Sequence, residues 1–123
     1  MSKRFSVLAR LNSFRFAFAG IAYMLRTQHN AWLHLIATLV VVAAGVALNV
    51  SGEDWRWLVV AIVLVWTAET VNTAFEHLCD VVSPEFHASV QKSKDIAAGA
   101  VLIAVIGAVI IGLQVFVPYL LRH

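Results

Sequence analysis

Residues 68–80 read AETVNTAFEHLCD, and the placing of Glu69, Asn72, Glu76 and Asp80 within that stretch decides the fold. It closes an apolar run that starts at Trp57 and carries no charge as far as Ala68. At about 100° per residue, Asn72 falls about 60° from Glu69, while Glu76 and Asp80 fall about 20° from it. The four side chains therefore make one polar stripe on an otherwise apolar helix. Crossing hydrocarbon takes ~20 apolar residues. The run from Trp57 is long enough only if the helix continues through Glu69 and Asn72 to about Glu76, which puts the stripe inside the membrane or at its edge.

The flanking sequence supports a membrane setting. Leu35 to Gly52 and Ile96 to Leu121 contain no Asp, Glu, Lys or Arg. Of the 123 residues 61% are hydrophobic and 13% charged, against roughly 25% charged in soluble domains. A soluble domain is excluded. The lone cysteine, Cys79, excludes an internal disulfide and a cysteine-based metal site.

Outward from the stripe, Asn49-Val50-Ser51-Gly52-Glu53-Asp54 supplies turn and capping chemistry between two spans, which predicts a helical hairpin. Ser83-Pro84 ends the second helix, and residues 83–92 read as a polar loop or surface helix. Near the amino terminus, Leu11, Phe14, Phe18, Ile21 and Leu25 recur at helical spacing while Arg15, Ala19, Ala22 and Arg26 fall elsewhere. That pattern predicts a basic amphipathic helix on the membrane surface over about 6–26. The expected fold is an all-α integral membrane protein, a single domain over 1–123. It has three transmembrane helices at about 32–50, 55–76 and 96–118 plus the amino-terminal surface helix. Lys3, Arg4, Arg10, Arg15, Arg26, Lys92 and Lys94 flank one side and Arg56 and Arg122 the other. The positive-inside rule puts the amino terminus in the cytoplasm and the carboxyl terminus outside.

An ionisable residue within a span marks a functional site by default; the bland alternative is a polar residue hydrogen-bonding a neighbouring helix. Glu69 and Glu76 lie about 10 Å apart along the helix axis, too far to chelate one ion directly. They should therefore do different jobs. Glu76 stands nearer the headgroups, where hydrated Mg²⁺ and phosphates reach. A carboxylate set deeper, away from water, holds a proton more tightly, as a general base for a hydroxyl must, and Glu69 has that position. Asn72 between them offers hydrogen bonds without charge. Lys94 can place a cation on a phosphate, or serve only as a snorkelling anchor. The chain has no G-x-x-x-x-G-K-[ST] loop, but phosphoryl transfer needs only positioning, neutralised oxygens and an oriented nucleophile.

The pattern E-x-x-N-T-A-x-E-x-x-x-D at 69–80, S-P-E-F-H at 83–87, K-D-I-A-A-G-A-V at 94–101 and F-x-x-A-x-x-G at 14–20 resembles the prokaryotic diacylglycerol kinase family over nearly the whole chain. The second and third segments, with His-Leu-Ile-Ala at 34–37, look more like its undecaprenol kinase branch. The resemblance implies a homotrimer of three-span subunits in the bacterial inner membrane, transferring the γ-phosphate of MgATP to a lipid hydroxyl. Carried over by motif, Glu69 is the catalytic base with Asn72 as its polar neighbour. Glu76 binds metal and nucleotide, and Asp80, Glu85, His87, Lys94 and Asp95 lie at or near the nucleotide. Arg10 corresponds, by a looser alignment, to an amino-terminal nucleotide contact, and Glu69 and Ala98 correspond to lipid-substrate positions.

One position departs from the family. Many members carry a metal-holding glutamate where this chain has Gln28, which keeps a carbonyl oxygen but loses the charge. Mg²⁺ binding should be weaker unless Glu76, Asp80 or substrate phosphates compensate. His29 and His34 stand about 140° apart on a helix and read as interfacial hydrogen-bonders. Ala100, Ala104, Ala108 and Gly112 recur every fourth residue and allow close helix approach, within one chain or between chains. Three readings stay open: an undecaprenol kinase, a diacylglycerol kinase, and a non-catalytic helix bundle whose stripe only organises packing.

Overall fold

The computed structural model describes residues 4–122, and these form four helices: α1 (Val7–Thr27), α2 (His29–Ala47), α3 (Gly52–Val82) and α4 (Ala88–Leu121). The last three are long and apolar enough to cross a membrane.

Helix α1 starts at Ser6, whose Oγ accepts from the Ala9 amide at 3.2 Å. It is exposed until Met24, which is 2% exposed. Phe14 and Phe18 share one side while Phe16 projects from the opposite one, all exposed, so the apolar surface is broader than the expected single stripe. The carboxyl end of α1 is docked: Trp32 Nε1 donates to the Leu25 carbonyl at 2.6 Å, and the Tyr23 and His77 rings lie 5.5 Å apart. Only Gln28, in extended conformation, separates α1 from α2.

Between α2 and α3 the chain reverses at Asn49, whose φ of 50° is one asparagine tolerates well. This left-handed residue explains why α2 stops at Ala47 rather than reaching 50. Ser51 Oγ then caps α3 by accepting from the Asp54 amide at 3.1 Å. The six-membered ring of Trp55 packs against Gly45, where a Cβ would come within 2.6 Å of the indole.

Helices α3 and α4 run antiparallel in a constant register. At one end the Tyr119 hydroxyl donates to Asp54 Oδ2 at 2.6 Å and accepts from the Ser51 amide at 2.9 Å. At mid-height Gly107 faces Leu64, and at the other end Lys94 Nζ donates to Asp80 Oδ1 at 2.6 Å. The register sets Ala104 at the depth of Glu69 and Ala98 at the depth of Glu76. Ala104 is 4% exposed whereas Ala100 is exposed, so part of the small-residue ladder serves packing within the chain.

With 31 and 34 residues, α3 and α4 are about 46 and 51 Å long, well beyond the ~30 Å of hydrocarbon. Trp55, Trp57 and Tyr119 form an aromatic belt at one end. Measured from that belt, the excess falls at the other end, around the 83–87 loop. The structure moves two expected boundaries. Residues 88–92 are the first turn of α4, entered through His87, whose Nδ1 accepts from the Ser89 amide at 3.2 Å. At its far end α4 passes through Pro118 to Leu121, because a proline so near the terminus forfeits one backbone bond and little else.

Burial divides along the length. Near the belt the core is apolar, with Val50, Leu58 and Val115 packed against Trp55 and Tyr119. Toward the loop the buried polar residues Glu69, Asn72 and Thr73 join the small or flexible apolar residues Met24, Ala31 and Ala104. Many exposed Leu, Val and Ile side chains coat α2 to α4, a surface that suits lipid contact, since lipid is as apolar as they are.

Candidate active site

The polar stripe is real and graded. Glu69 is 2% exposed and Asn72 6%; Glu76 is half-buried and Asp80 exposed. The gradient follows from α3 leaving the packed part of the bundle as it approaches the loop. One helix face thus carries a carboxylate from enclosed apolar surroundings to open solvent.

Glu69 has a partner that sequence reasoning placed elsewhere. His34 Nε2 lies 3.2 Å from Glu69 Oε2, so His34 belongs to the bundle interior rather than the interface. Its ring meets Trp66 edge-on at 6.1 Å. Trp66 Nε1 donates to Thr38 Oγ1 at 2.9 Å, and Thr38 donates to the His34 carbonyl at 2.7 Å. Trp66, unexplained by sequence alone, is thereby tied to α2. His29 stays exposed at the start of α2. Beside this cluster a narrow apolar cleft of about 90 Å³ runs between α2, α3 and α4, with His34 and Thr38 at its polar part and Val41, Leu58 and Val65 among its walls.

Among the described residues, two buried oxygens on the stripe have no partner: Asn72 Oδ1 and Thr73 Oγ1. Such groups cost about 1–3 kcal/mol each when left unpaired, and they cluster where ligands or further chains bind. Thr73 was not singled out from the sequence; its place next to Asn72 in the stripe was the available signal.

At the loop end, Asp80, Ser83, Glu85, His87, Gln91 and Lys94 contribute to the lining of an open polar cleft of about 110 Å³. Ser83 Oγ donates to the Glu85 carbonyl at 2.9 Å, which folds the loop back on itself. Lys94 precedes the apolar run that starts at Ile96. Its hydrogen bond to Asp80 holds the ammonium above the usual lysine range, so it stays cationic at the cleft. Asp95 accepts from Gln91 at 2.9 Å on the same helix.

The expected residues are therefore gathered in two groups along α3, the enclosed Glu69–Asn72 pair and the open cleft around Lys94, with Glu76 between them. Three expected residues lie apart. Arg10 is exposed in the first turns of α1, and its guanidinium makes no bond among the described residues. Gln28 is half-buried in the α1–α2 link, where its amide reaches Thr27 Oγ1 at 3.4 Å. Ala98 is exposed one turn beyond Lys94. No three of His, Cys, Asp and Glu stand close enough to hold a metal ion among the described residues.

The chain is similar to known proteins over most of its length. The family described as prokaryotic diacylglycerol kinase matches residues 15–116. A protein named diacylglycerol kinase from Synechocystis sp. is 38% identical over 112 residues, covering 90% of this chain; the chain spans 64% of that relative's length. A protein named undecaprenol kinase from Bacillus subtilis is 34% identical over 108 residues, covering 88% of each. The diacylglycerol kinase of Escherichia coli K12 is 35% identical over 75 residues, covering 61% of this chain and 62% of the relative.

Proposed function

Because the chain belongs to the prokaryotic diacylglycerol kinase family, we propose that it transfers the γ-phosphate of MgATP to the hydroxyl of a membrane lipid, undecaprenol in the first instance. The observation that carries this reading is the single face of α3 on which the buried Glu69 is followed by Asn72, Glu76 and the Lys94 cleft. A water-soluble phosphate donor and a lipid hydroxyl can approach that face from opposite ends.

Glu69 accepts the proton of the lipid hydroxyl as its oxygen bonds to the γ-phosphorus, while the bond from that phosphorus to the β–γ bridging oxygen breaks and ADP departs. Lys94 offers a cation to the phosphate oxygens. Mg²⁺ favours one or two carboxylates completed by phosphates and water. The donors fit: Glu76 is half-buried, and one turn away Asn72 Oδ1 is an oxygen without a partner. These two would hold the ion, Gln28 adding at most a neutral oxygen, and the ion would neutralise charge on the transferring group. Arg10, Asp80, Glu85, His87 and Asp95 are read as nucleotide contacts, and Ala98 as part of the lipid path at the depth of Glu76.

In this reading the protein sits in a bacterial cytoplasmic membrane with its amino terminus and the 83–87 loop on the cytoplasmic side, where ATP is. Helix α1 lies along the surface. The assembly is a homotrimer, in which a neighbouring chain can meet the Thr73 oxygen, which has no partner among the described residues.

Diacylglycerol is the second reading, favoured by the name of the Synechocystis relative. The test is transfer of labelled phosphate from MgATP to undecaprenol and, separately, to diacylglycerol in mixed micelles, with Glu69→Gln as the blank. Faster labelling of undecaprenol is expected. Preference for diacylglycerol reverses the substrate assignment and keeps the mechanism, whereas full activity in Glu69→Gln removes Glu69 as base.

A further inference from the structure

We infer that His34 is a positioning residue for the reaction, holding one oxygen of the Glu69 carboxylate so that the other faces the lipid hydroxyl. The inference rests on the reading of Glu69 as the base. An ionised carboxylate only accepts hydrogen bonds, so the proton between Nε2 and Oε2 belongs to the imidazole, and His34 donates at 3.2 Å. Oε1 makes no hydrogen bond among the described residues and is left to accept a proton.

The imidazole is itself braced. Trp66 meets its ring edge-on, Trp66 Nε1 is fixed on Thr38 Oγ1, and the Thr38 hydroxyl is fixed on the His34 carbonyl. Starting at Glu69, the chain of contacts passes through His34 and Thr38 on α2 and returns to α3 at Trp66, one turn from its origin. A closed loop of this kind fixes a side-chain rotamer more firmly than one contact does. His34 also contributes to the wall of the apolar cleft between α2, α3 and α4, so the ring that holds the carboxylate also borders an apolar space that suits a lipid tail. Simple satisfaction of a buried carboxylate would need the hydrogen bond but not the bracing of the ring by Trp66 and Thr38.

Misplacing a reacting group by about 1 Å costs on the order of 10²-fold in rate. His34→Leu should therefore lower kcat by roughly that factor and leave the KM for MgATP unchanged, because the nucleotide cleft lies at the loop end. His34→Gln, whose amide can still donate, should recover most of the loss. In a double-mutant cycle with Glu69→Asp, whose shortened carboxylate no longer meets His34 in register, His34→Leu should add little further loss. If His34→Leu folds poorly, His34→Asn, whose shorter amide falls short of Oε2, replaces it in both the rescue comparison and the cycle and keeps the test decisive. Parental kcat in His34→Leu, equal loss in both His34 variants, a loss confined to KM, or losses that multiply fully in the cycle would each overturn the inference. Turnover by Glu69→Gln sinks the base reading itself; an inactive Glu69→Gln beside a fully active His34→Leu sinks this inference alone.

Discussion

Lys94 Nζ donates to Asp80 Oδ1 at 2.6 Å, bridging the last turn of α3 and the second turn of α4 across the 83–87 loop. Asp80 is 66% exposed and Lys94 27%, so solvent screens the pair and its contribution to stability is small. Its value lies in pointing a cation into the cleft. Lys94→Met is expected to lower phosphoryl transfer about 10²–10³-fold, the usual loss when one donor to developing charge is removed. Asp80→Asn should have a much smaller effect on rate. Neither should move the thermal midpoint in micelles appreciably. A large drop in that midpoint for Lys94→Met, with the specific activity of the folded fraction retained, would make the pair structural.

The α2–α3 hairpin gives a separate test of packing. A Cβ at position 45 would sit 2.6 Å from the Trp55 ring, closer than real contacts allow. Gly45→Ala should destabilise the protein by about 1–3 kcal/mol, the range for overpacking. Adding Trp55→Leu should return part of that loss. Thermal unfolding of the three variants checks it, and a Gly45→Ala protein as stable as its parent would refute the close approach.

Much of this was legible in the sequence, and the reasons differ by element. Charge-free runs and helical spacing are local properties, so the three spans and the stripe from Glu69 to Asp80 could be read directly. The His34–Glu69 pair could not, since it joins residues 35 apart and depends on two helices lying side by side. Yet the turn chemistry around Ser51 is legible locally, and His34 and Glu69 lie nearly the same number of residues before and after it. An antiparallel hairpin puts such residues at one depth. Trp66 and Thr38 follow by the same argument. What no local pattern could supply is which way each helix faces, and so the edge-on Trp66 ring and the unpartnered Asn72 and Thr73 oxygens emerge only from packing. The positions of Arg10 and Gln28, carried over by motif, are likewise not drawn into the cleft by this chain's own fold.

At the belt end, the Tyr119 hydroxyl both accepts from the Ser51 amide and donates to Asp54 Oδ2. It closes the hairpin turn against the end of α4. Tyr119→Phe removes two hydrogen bonds, one to a charged group, and should lower stability by about 1–3 kcal/mol. Activity measured well below the melting temperature should stay near the parental value, because Asp54 stands four turns of α3 away from Glu69. Loss of activity without loss of stability would show that this end of the bundle is coupled to the site.

Asn72 offers the sharpest separation between folding and chemistry. Its Oδ1 is buried with no partner among the described residues, which penalises the folded chain, and a position selected for stability alone would carry an apolar residue of similar shape. Asn72→Leu removes that oxygen and keeps the branched four-atom shape of the side chain, with bulkier methyl groups at its ends. The expected outcome is a thermal midpoint equal to or above the parental one, the relief amounting to at most about 1–3 kcal/mol, together with a severe loss of phosphoryl transfer. Exchanging a penalised polar group for a better core at the expense of activity is the usual pattern at functional sites. A variant that is both less stable and smaller as a detergent complex would instead place the Asn72 oxygen on a neighbouring chain, making its role assembly rather than catalysis. Thermal unfolding, the mass of the detergent complex and the labelled-phosphate assay, run on the same preparation, separate these two outcomes.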